Sequence, residues 1–403
     1  MFGIFLFVNL SITKQTSMKK ISILAAIIVS AQFFAQIFIQ TYQDRADLVT
    51  QENITSNITE FENFGIKRSG SVANNNAFNW LKAKYESFGY ASDEISENAF
   101  NVMGSSTKNL IVTKTGTVYP DQFVIISGHY DTVNGSGAND NGSGVSVILE
   151  VARILKDIPT EYSIKFINFS GEEQGLLGSS HYVNSVVNAT NPKMNIKLVF
   201  NIDQVGGTTG EVNNKITCER DESAPYSNNG ASNLATQQLM QLVSLYSPLQ
   251  AQLAHAYGSD YMPFQSNGEI ITGFYESNVS PYPHSSSDTS ANLDPVYVYN
   301  VAKAAVGATQ HFAVAAVETL ATDDNNLNNQ FKIYPNPASD EIFLELNGLD
   351  KKYFSFIISD LNGRNVVQSE NSVRIDVSKL QSGMYIGTLQ TESEKISRKI
   401  IIK

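Results

Sequence analysis

The sequence predicts an α/β protein with a mainly parallel, buried sheet, followed by a small β-sandwich. Three observations carry this expectation. Between residues 109 and 320, short apolar strands alternate with helical patterns, the arrangement that builds parallel sheets. After Leu320 the stretch ATDDNNLNNQ (321–330) is polar and poor in apolar residues, and reads as a linker. Beyond it, residues 331–403 show no convincing helix but short alternating strands separated by Asn-Gly, Ser-Gly and Asp-rich turns.

Taken in order, the chain opens on a processing signal. Met18-Lys19-Lys20 is a short basic region, and ISILAAIIVSAQFFA (21–35) is an apolar stretch with small residues near its end. This layout is that of a secretory signal peptide spanning residues 1–36, with cleavage near Ala35 or Gln36 and Met18 as the true start. The polar break SITKQTSMKK leaves no continuous apolar run of about 20 residues, so no stable membrane span is expected. A first domain is expected over residues 37–320. Its opening region, 37–100, is polar and helix-biased, and AFNWLKAKYESFGY places Phe78, Leu81, Tyr85 and Phe88 on one helical face.

Strands are predicted at NLIVTK (109–114), FVIISGHYD (123–131), SIKFINFS, KLVFNID (197–203) and EIITGFYES (269–277). Helices are predicted at VSVILEVARILKD (145–157), GSSHYVNSVVN, NLATQQLMQLVSLY (233–246) and the long run 296–320. In the second domain, residues 331–403, the strand segments include KIYPNP, EIFLELNG, YFSFIISDLNG, VRIDVSKLQSG, MYIGTLQT and SRKIIIK.

Composition narrows the function. The 403 residues are 42% hydrophobic and 17% charged, which supports a sizeable core rather than wholesale disorder. The net charge of −11 argues against nucleic acid or an anionic membrane as the main partner. The lone cysteine, Cys218, excludes an intrachain disulfide and reads as a core residue.

Metal-friendly side chains stand at the C-terminal ends of the predicted strands, where open α/β sheets place their sites. FVIISG runs into His129-Tyr130-Asp131, and the loop GSGANDNGSG holds Asp140. SIKFINFSG runs into Glu172-Glu173, KLVFNID ends in Asp203, and PYPHSSSDT holds His284. Two imidazoles with several carboxylates suit zinc better than magnesium or calcium. Five ligating groups exceed what one catalytic zinc accepts, and fit two metals about 3.5–4 Å apart that share a bridging carboxylate. One glutamate of the Glu172-Glu173 pair can then bind metal while the other accepts the proton of a bridging water and passes it to a leaving amine.

The successive segments HYD, GANDNGSG, SGEEQGLLGS, NID and PHSSSD resemble the motifs of the secreted two-zinc aminopeptidases, leucyl-aminopeptidase-like relatives of glutamate carboxypeptidase and the transferrin receptor. The likeness covers roughly residues 45–320. It implies a three-layer α/β/α sandwich around a mixed eight-stranded sheet, and removal of N-terminal residues from peptides. It further implies two zinc ions per chain. Asp140 would bridge them, His129 and Asp203 would complete one, and Glu173 and His284 the other. Glu172 would be the general base beside a zinc-bridging hydroxide. Asp131 would hold the ring of His129.

The substrate side departs from the family. Gln204 follows Asp203 where relatives often carry Met or another apolar residue, and Pro283-His284-Ser285 replaces Tyr-His-Thr. Phe274 and Tyr275 are expected to line the pocket for the first side chain, favouring an apolar or aromatic residue, and Tyr257 to stabilise the oxyanion. Asp260 in GSDYMPF would neighbour the site, and Asp288 would orient His284 or cap a turn. His181 is expected to pack in a helix, and His255 and His311 to be structural or on the surface.

The C-terminal segment, with KIYPNPASDEI, LNG, SGMYI and KIIIK, resembles the type A sorting domain of the type IX secretion pathway. That implies the type IX machinery as partner and a secreted or cell-surface protein. Rival readings within the first fold are a single-zinc glutaminyl cyclase and a carboxypeptidase or dipeptidase. A non-enzymatic binding module would require missing ligands, and all five are present.

Overall fold

A computed structural model describes residues 36–256, 258–317, 331–346, 353–360, 364–391 and 395–403. The expected signal peptide and linker, and Tyr257, lie outside these residues. The chain divides into two compact units, Met1–Val317 and Glu318–Lys403.

Among the described residues, the first unit opens with three helices, α1 (Gln40–Ala46), α2 (Gln51–Glu62) and α3 (Val72–Ser87). Thr50 and Ser71 start the latter two by accepting the amides of Asn53 and Asn74, which satisfies donors a helix leaves unpaired at its first turn. The stripe Phe78, Leu81 and Tyr85 on α3 is buried as its spacing predicts, with Phe88 packed at its margin.

Eight strands form one sheet: β1 (Ile95–Val102), β2 (Ser105–Lys114), β3 (Tyr119–His129), β4 (Tyr162–Phe169), β5 (Asn195–Ile202), β6 (Lys215–Arg220), β7 (Gln250–His255) and β8 (Ile271–Glu276). Their order is β1-β2-β4-β3-β5-β8-β6-β7. The centre, β4-β3-β5-β8, is parallel, while β1, β2 and β6 introduce antiparallel pairs. Between strands run α4 (Gly142–Leu155), α5 (Leu177–Tyr182), α6 (Asn229–Tyr246), α7 (Tyr261–Ser266) and α8 (Pro295–Ala313).

Alternate residues of the central strands feed opposite layers, because strand side chains alternate in direction. Val124, Ile126, Phe166 and Phe200 pack with α4, α6 and α8, whereas Ile125, Ile167 and Val199 pack with Tyr182, Tyr261 and Phe264. Each such fully buried side chain contributes about 1.5–3 kcal/mol relative to exposure. Cys218 is buried in β6 and free, as expected of a core residue.

The sequence reading missed β1, β6, β7 and α7. Strands β1 and β7 are the sheet's two margins and carry polar residues on exposed positions, so neither reads as an apolar run. The last helix stops at Ala313 rather than Leu320. Val314 turns left-handed at φ 51°, and Ala315 bridges back to Thr160. Among the described residues, no helix is long and apolar enough to cross a membrane.

The second unit contains β9 (Phe331–Tyr334), β10 (Glu341–Leu346), β11 (Ser355–Ser359), β12 (Asn365–Glu370), β13 (Arg374–Asp376), β14 (Gly383–Gln390) and β15 (Lys395–Ile402). They form antiparallel sheets ordered β13-β10-β9 and β12-β11-β14-β15. Phe331, Ile342, Leu344, Phe356, Ile358 and Ile400 are buried in its separate core.

Candidate metal centre

The parallel strands deliver their chemistry-bearing residues to one end of the sheet. His129 is the last residue of β3, Asp203 follows β5, and the Glu172-Glu173 pair follows β4 across Gly171, which turns at φ 78°. Asp140 sits just before α4. His284 lies in the segment after β8, also left-handed at φ 58°. A non-glycine residue held there costs about 1–3 kcal/mol and persists where surrounding structure demands it.

Five side chains expected to gather from sequence do gather. His129, Asp140 and Asp203 form one group, and Asp140, Glu173 and His284 a second, with ligand-type atoms inside each group all within 4.8 Å of one another. Nε2 of His129 lies 3.1 Å from Oδ1 of Asp140 and 3.3 Å from Oδ1 of Asp203. Nε2 of His284 lies 3.0 Å from Oδ2 of Asp140 and 2.9 Å from Oε2 of Glu173. Asp140 thus turns one oxygen to each imidazole. Glu172 stands to one side, its Oε2 4.0 Å from Nε2 of His129.

Electrostatics set this cluster apart. Asp131, Asp140, Glu172, Glu173, Asp203 and Asp260 bring six carboxyl groups together against two imidazoles. Burial works to raise Asp140, but the rings of His129 and His284 overcome it and hold its carboxyl down at about 2. Burial raises Glu172 to about 10, with Asp203, Asp260 and Asp131 adding to the rise and His129 opposing it. Glu173 is raised by burial and by Asp140, to about 8. His284 is lifted to about 9, first by its bond to Asp140.

The donor set fits divalent cations. Nε2 of His129, Oδ2 of Asp140, Oε1 of Glu173 and Oδ1 of Asp203 are buried without a hydrogen-bond partner. Buried polar atoms are normally paired, and these four belong to the residues of the two groups, so cations held there would partner them and offset the excess negative charge.

Supporting groups fix each member. Nδ1 of His129 bonds the backbone carbonyl of Asp131 at 3.0 Å, leaving Nε2 to face the carboxylates. The Asp131 side chain, expected to hold the ring, brings Oδ1 to 3.8 Å from Nδ1. Its carboxylate accepts the amides of Glu172 and Glu173 at 3.2 and 3.4 Å and the hydroxyl of Ser69 at 3.2 Å. The adjacent glutamates are therefore oriented through their own backbone. Oδ2 of Asp203 accepts Ser259 at 2.7 Å, which frees Oδ1 to face His129.

Asp288 does not orient His284. It accepts the amides of Asn139 and Asp140. Glu276 was not anticipated: it accepts both bonds of the Asn139 amide group, at 3.0 and 3.1 Å, and the amides of Gly207 and Ser280. Its signal was a glutamate closing a buried strand, a costly place unless partnered. Asp260 is fully buried beside the cluster, with both side-chain oxygens unpartnered.

On the substrate side, Gln204 is left-handed at φ 45° and its Oε1 accepts the Tyr275 hydroxyl at 3.0 Å. Phe274 is corrected: it is wholly buried in the core, where its ring meets Phe200 edge-on at 5.0 Å. Neighbouring strand residues face opposite sides, so Phe274 and Tyr275 could not both line one pocket. Tyr257 lies outside the described residues. His181 stacks on Phe100, His255 is an exposed partner of Glu222, and Nε2 of His311 bonds the Tyr246 hydroxyl.

Comparison with known proteins places both parts of the chain in families. Residues 109–309 match the family described as Peptidase family M28, and residues 332–403 the Secretion system C-terminal sorting domain. Aminopeptidase YwaD of Bacillus subtilis is 34% identical over 197 residues, 47% of this chain and 41% of that protein. A probable zinc metalloprotease of Pyrenophora teres f. teres is 29% identical over 228 residues, 48% of each. The chain thus spans less than half the length of these curated relatives. The LapA aminopeptidase of Legionella pneumophila shares the fold, with a TM-score of 0.61 and 23% identity over 71% of this chain and 76% of that one. The clustered histidines and carboxylates all fall within residues 109–309, and on that evidence the chain belongs to peptidase family M28 and carries a secretion-system C-terminal sorting domain.

Proposed function

We propose that the chain is a secreted zinc-dependent aminopeptidase acting on peptides with a free N-terminus. The observation that carries this reading is the shared carboxylate, with Asp140 facing His129 and Asp203 on one side and Glu173 and His284 on the other. These groups would hold two zinc ions, with Asp140 common to both. Zinc bound there would polarise a substrate carbonyl and lower the pKa of a water.

The chain's own residues do the rest. Glu172 accepts a proton from the attacking water and returns it to the leaving amine. Its Oε2 stands 4.0 Å from Nε2 of His129 and belongs to neither ligand group, so it is free to take a proton beside the metals. Asp131 keeps Glu172 and Glu173 in place by accepting their amides. The first side chain of the substrate meets Tyr275 and Gln204, with Tyr275 supplying the preference for apolar or aromatic residues. The sorting domain delivers the enzyme to the type IX secretion machinery, and so to the cell surface or medium.

The test is a zinc titration of chelated protein, with mass-spectrometric metal counting and assays on free and N-blocked peptides. Two zincs per chain and hydrolysis of free-amine peptides alone are expected. A single zinc with pyroglutamate formation, or cleavage of N-blocked peptides, overturns the reading.

A further inference from the structure

Lys67 is wholly buried, an unusual place for a lysine without a partner. Its Nζ donates to the carbonyls of Phe61 at 3.2 Å, Gly65 at 2.9 Å and Ser136 at 2.6 Å. It also lies 3.9 Å from the centre of the Phe61 ring. Burial opposes its charge, yet three acceptors match the three N–H bonds that only the ammonium form carries. Two of those carbonyls belong to the end of α2 and the turn after it. The third belongs to the loop that joins His129 to Asp140.

The backbone of Lys67 grips the same loop. Its amide donates to Oγ1 of Thr132 at 2.8 Å, and its carbonyl accepts the amide of Thr132 at 3.2 Å. Thr132 in turn donates to the carbonyl of Gly135 at 3.1 Å. One residue further along, Ser136 donates its hydroxyl to the carbonyl of Asp288. The loop is thus clamped between Lys67 on one side and Asp288 on the other. Lys67 lies outside the matched residues 109–309, so the clamp comes from the N-terminal segment.

We infer that Lys67 is a positioning residue: its buried ammonium holds the loop of residues 132–141 in the shape that lets Asp140 face both His129 and His284. The N-terminal segment is then a working part of the site and is retained in the active enzyme. The inference rests on the metal-centre reading above and concerns how tightly zinc is held.

The test uses the full chain and the Lys67→Met variant, with Leu239→Ala in α6 as a control that lowers thermal stability away from the loop. Zinc affinity of the chelated proteins is measured by titration, alongside melting temperature. Lys67→Met is expected to weaken zinc binding by about tenfold or more, as loss of a group supporting a ligand does, and saturating zinc is expected to restore most of its turnover. Leu239→Ala is expected to melt earlier with zinc affinity unchanged. Thr132→Ala, which removes the acceptor for the Lys67 amide and the donor to the Gly135 carbonyl, is the milder variant should Lys67→Met not fold, and is expected to weaken zinc binding severalfold. Zinc affinity within twofold of the parent in a folded Lys67→Met or Thr132→Ala protein overturns the inference. Failure of the parent chain itself to bind zinc would instead refute the metal-centre reading.

Discussion

The carboxylate of Asp288 accepts the backbone amides of both Asn139 and Asp140, at 2.7 and 3.0 Å. A charged acceptor taking two amides is among the stronger hydrogen-bond arrangements. It aims the Asp140 carboxylate from behind while touching neither imidazole. Asp288→Asn replaces the charge and turns one acceptor into a donor that meets an N–H. Zinc affinity is expected to fall by about 10- to 100-fold, with the melting temperature of the metal-free protein changing far less. Titration of chelated protein checks this, and an unchanged affinity removes Asp288 from the support of the site.

Glu172 is expected to matter for turnover and not for metal. Glu172→Gln keeps the shape and removes the proton acceptor. Metal content should stay at the parent level while kcat falls by about 10²- to 10⁴-fold, the range for general acid–base groups. A variant that turns over at the parent rate assigns the proton transfer elsewhere.

Gly178 sits in α5 against the end of β4. A Cβ there would overlap the carbonyl of Ser170 and the side-chain oxygen of Asn109. Forcing atoms into such a contact costs about 1–3 kcal/mol. Gly178→Ala should lower the melting temperature by several degrees, and because Ser170 precedes the Glu172-Glu173 turn, kcat should fall as well. Calorimetry with unaltered melting would show that the helix shifts freely.

Stability at acid pH is expected to depend on His311. Burial lowers its pKa from 6.5 to about 4. Between those values the unfolded chain binds a proton that the folded chain does not, so stability is present above pH 6.5 and is lost as pH falls toward 4. His311→Gln keeps a partner for the Tyr246 hydroxyl and removes the titration. The loss in melting temperature from pH 7 to pH 4.5 should be smaller in the variant than in the parent. Equal losses would show that His311 is not the group responsible.

Substrate preference should follow Tyr275 and leave Phe274 aside. Tyr275→Phe cuts the bond to Gln204 and is expected to change KM across a panel of aminoacyl amides. Phe274→Leu is expected to lower stability and leave the ranking of substrates intact. A preference for Asp or Glu at the first position would remove the apolar reading of the pocket.

His129, Glu172, Glu173 and Asp203 were legible because each stands at or just past a strand end, where a titratable residue closes an apolar run, whereas Asp140 and His284 sit in loops and showed through the motifs GANDNGSG and PHSSSD. What supports them was not legible. Asn139 meets Glu276 across 137 positions and Asp288 across 149, and no local pattern announces a contact at that range. Phe274 was misplaced for a different reason. Adjacent strand residues point to opposite faces, and which one meets the substrate depends on pairing that a single strand does not reveal. The marginal strands β1 and β7 escaped because exposure lets them carry the polar residues that typify loops.

The two imidazoles differ sharply in their access to water. The side chain of His129 is 1% exposed and that of His284 is 56% exposed. A competing chelator reaches the His284 side directly, whereas the His129 side opens only when packed structure moves. Were two ions held as proposed, the one on the His284 side would be expected to leave for a chelator before the one on the His129 side.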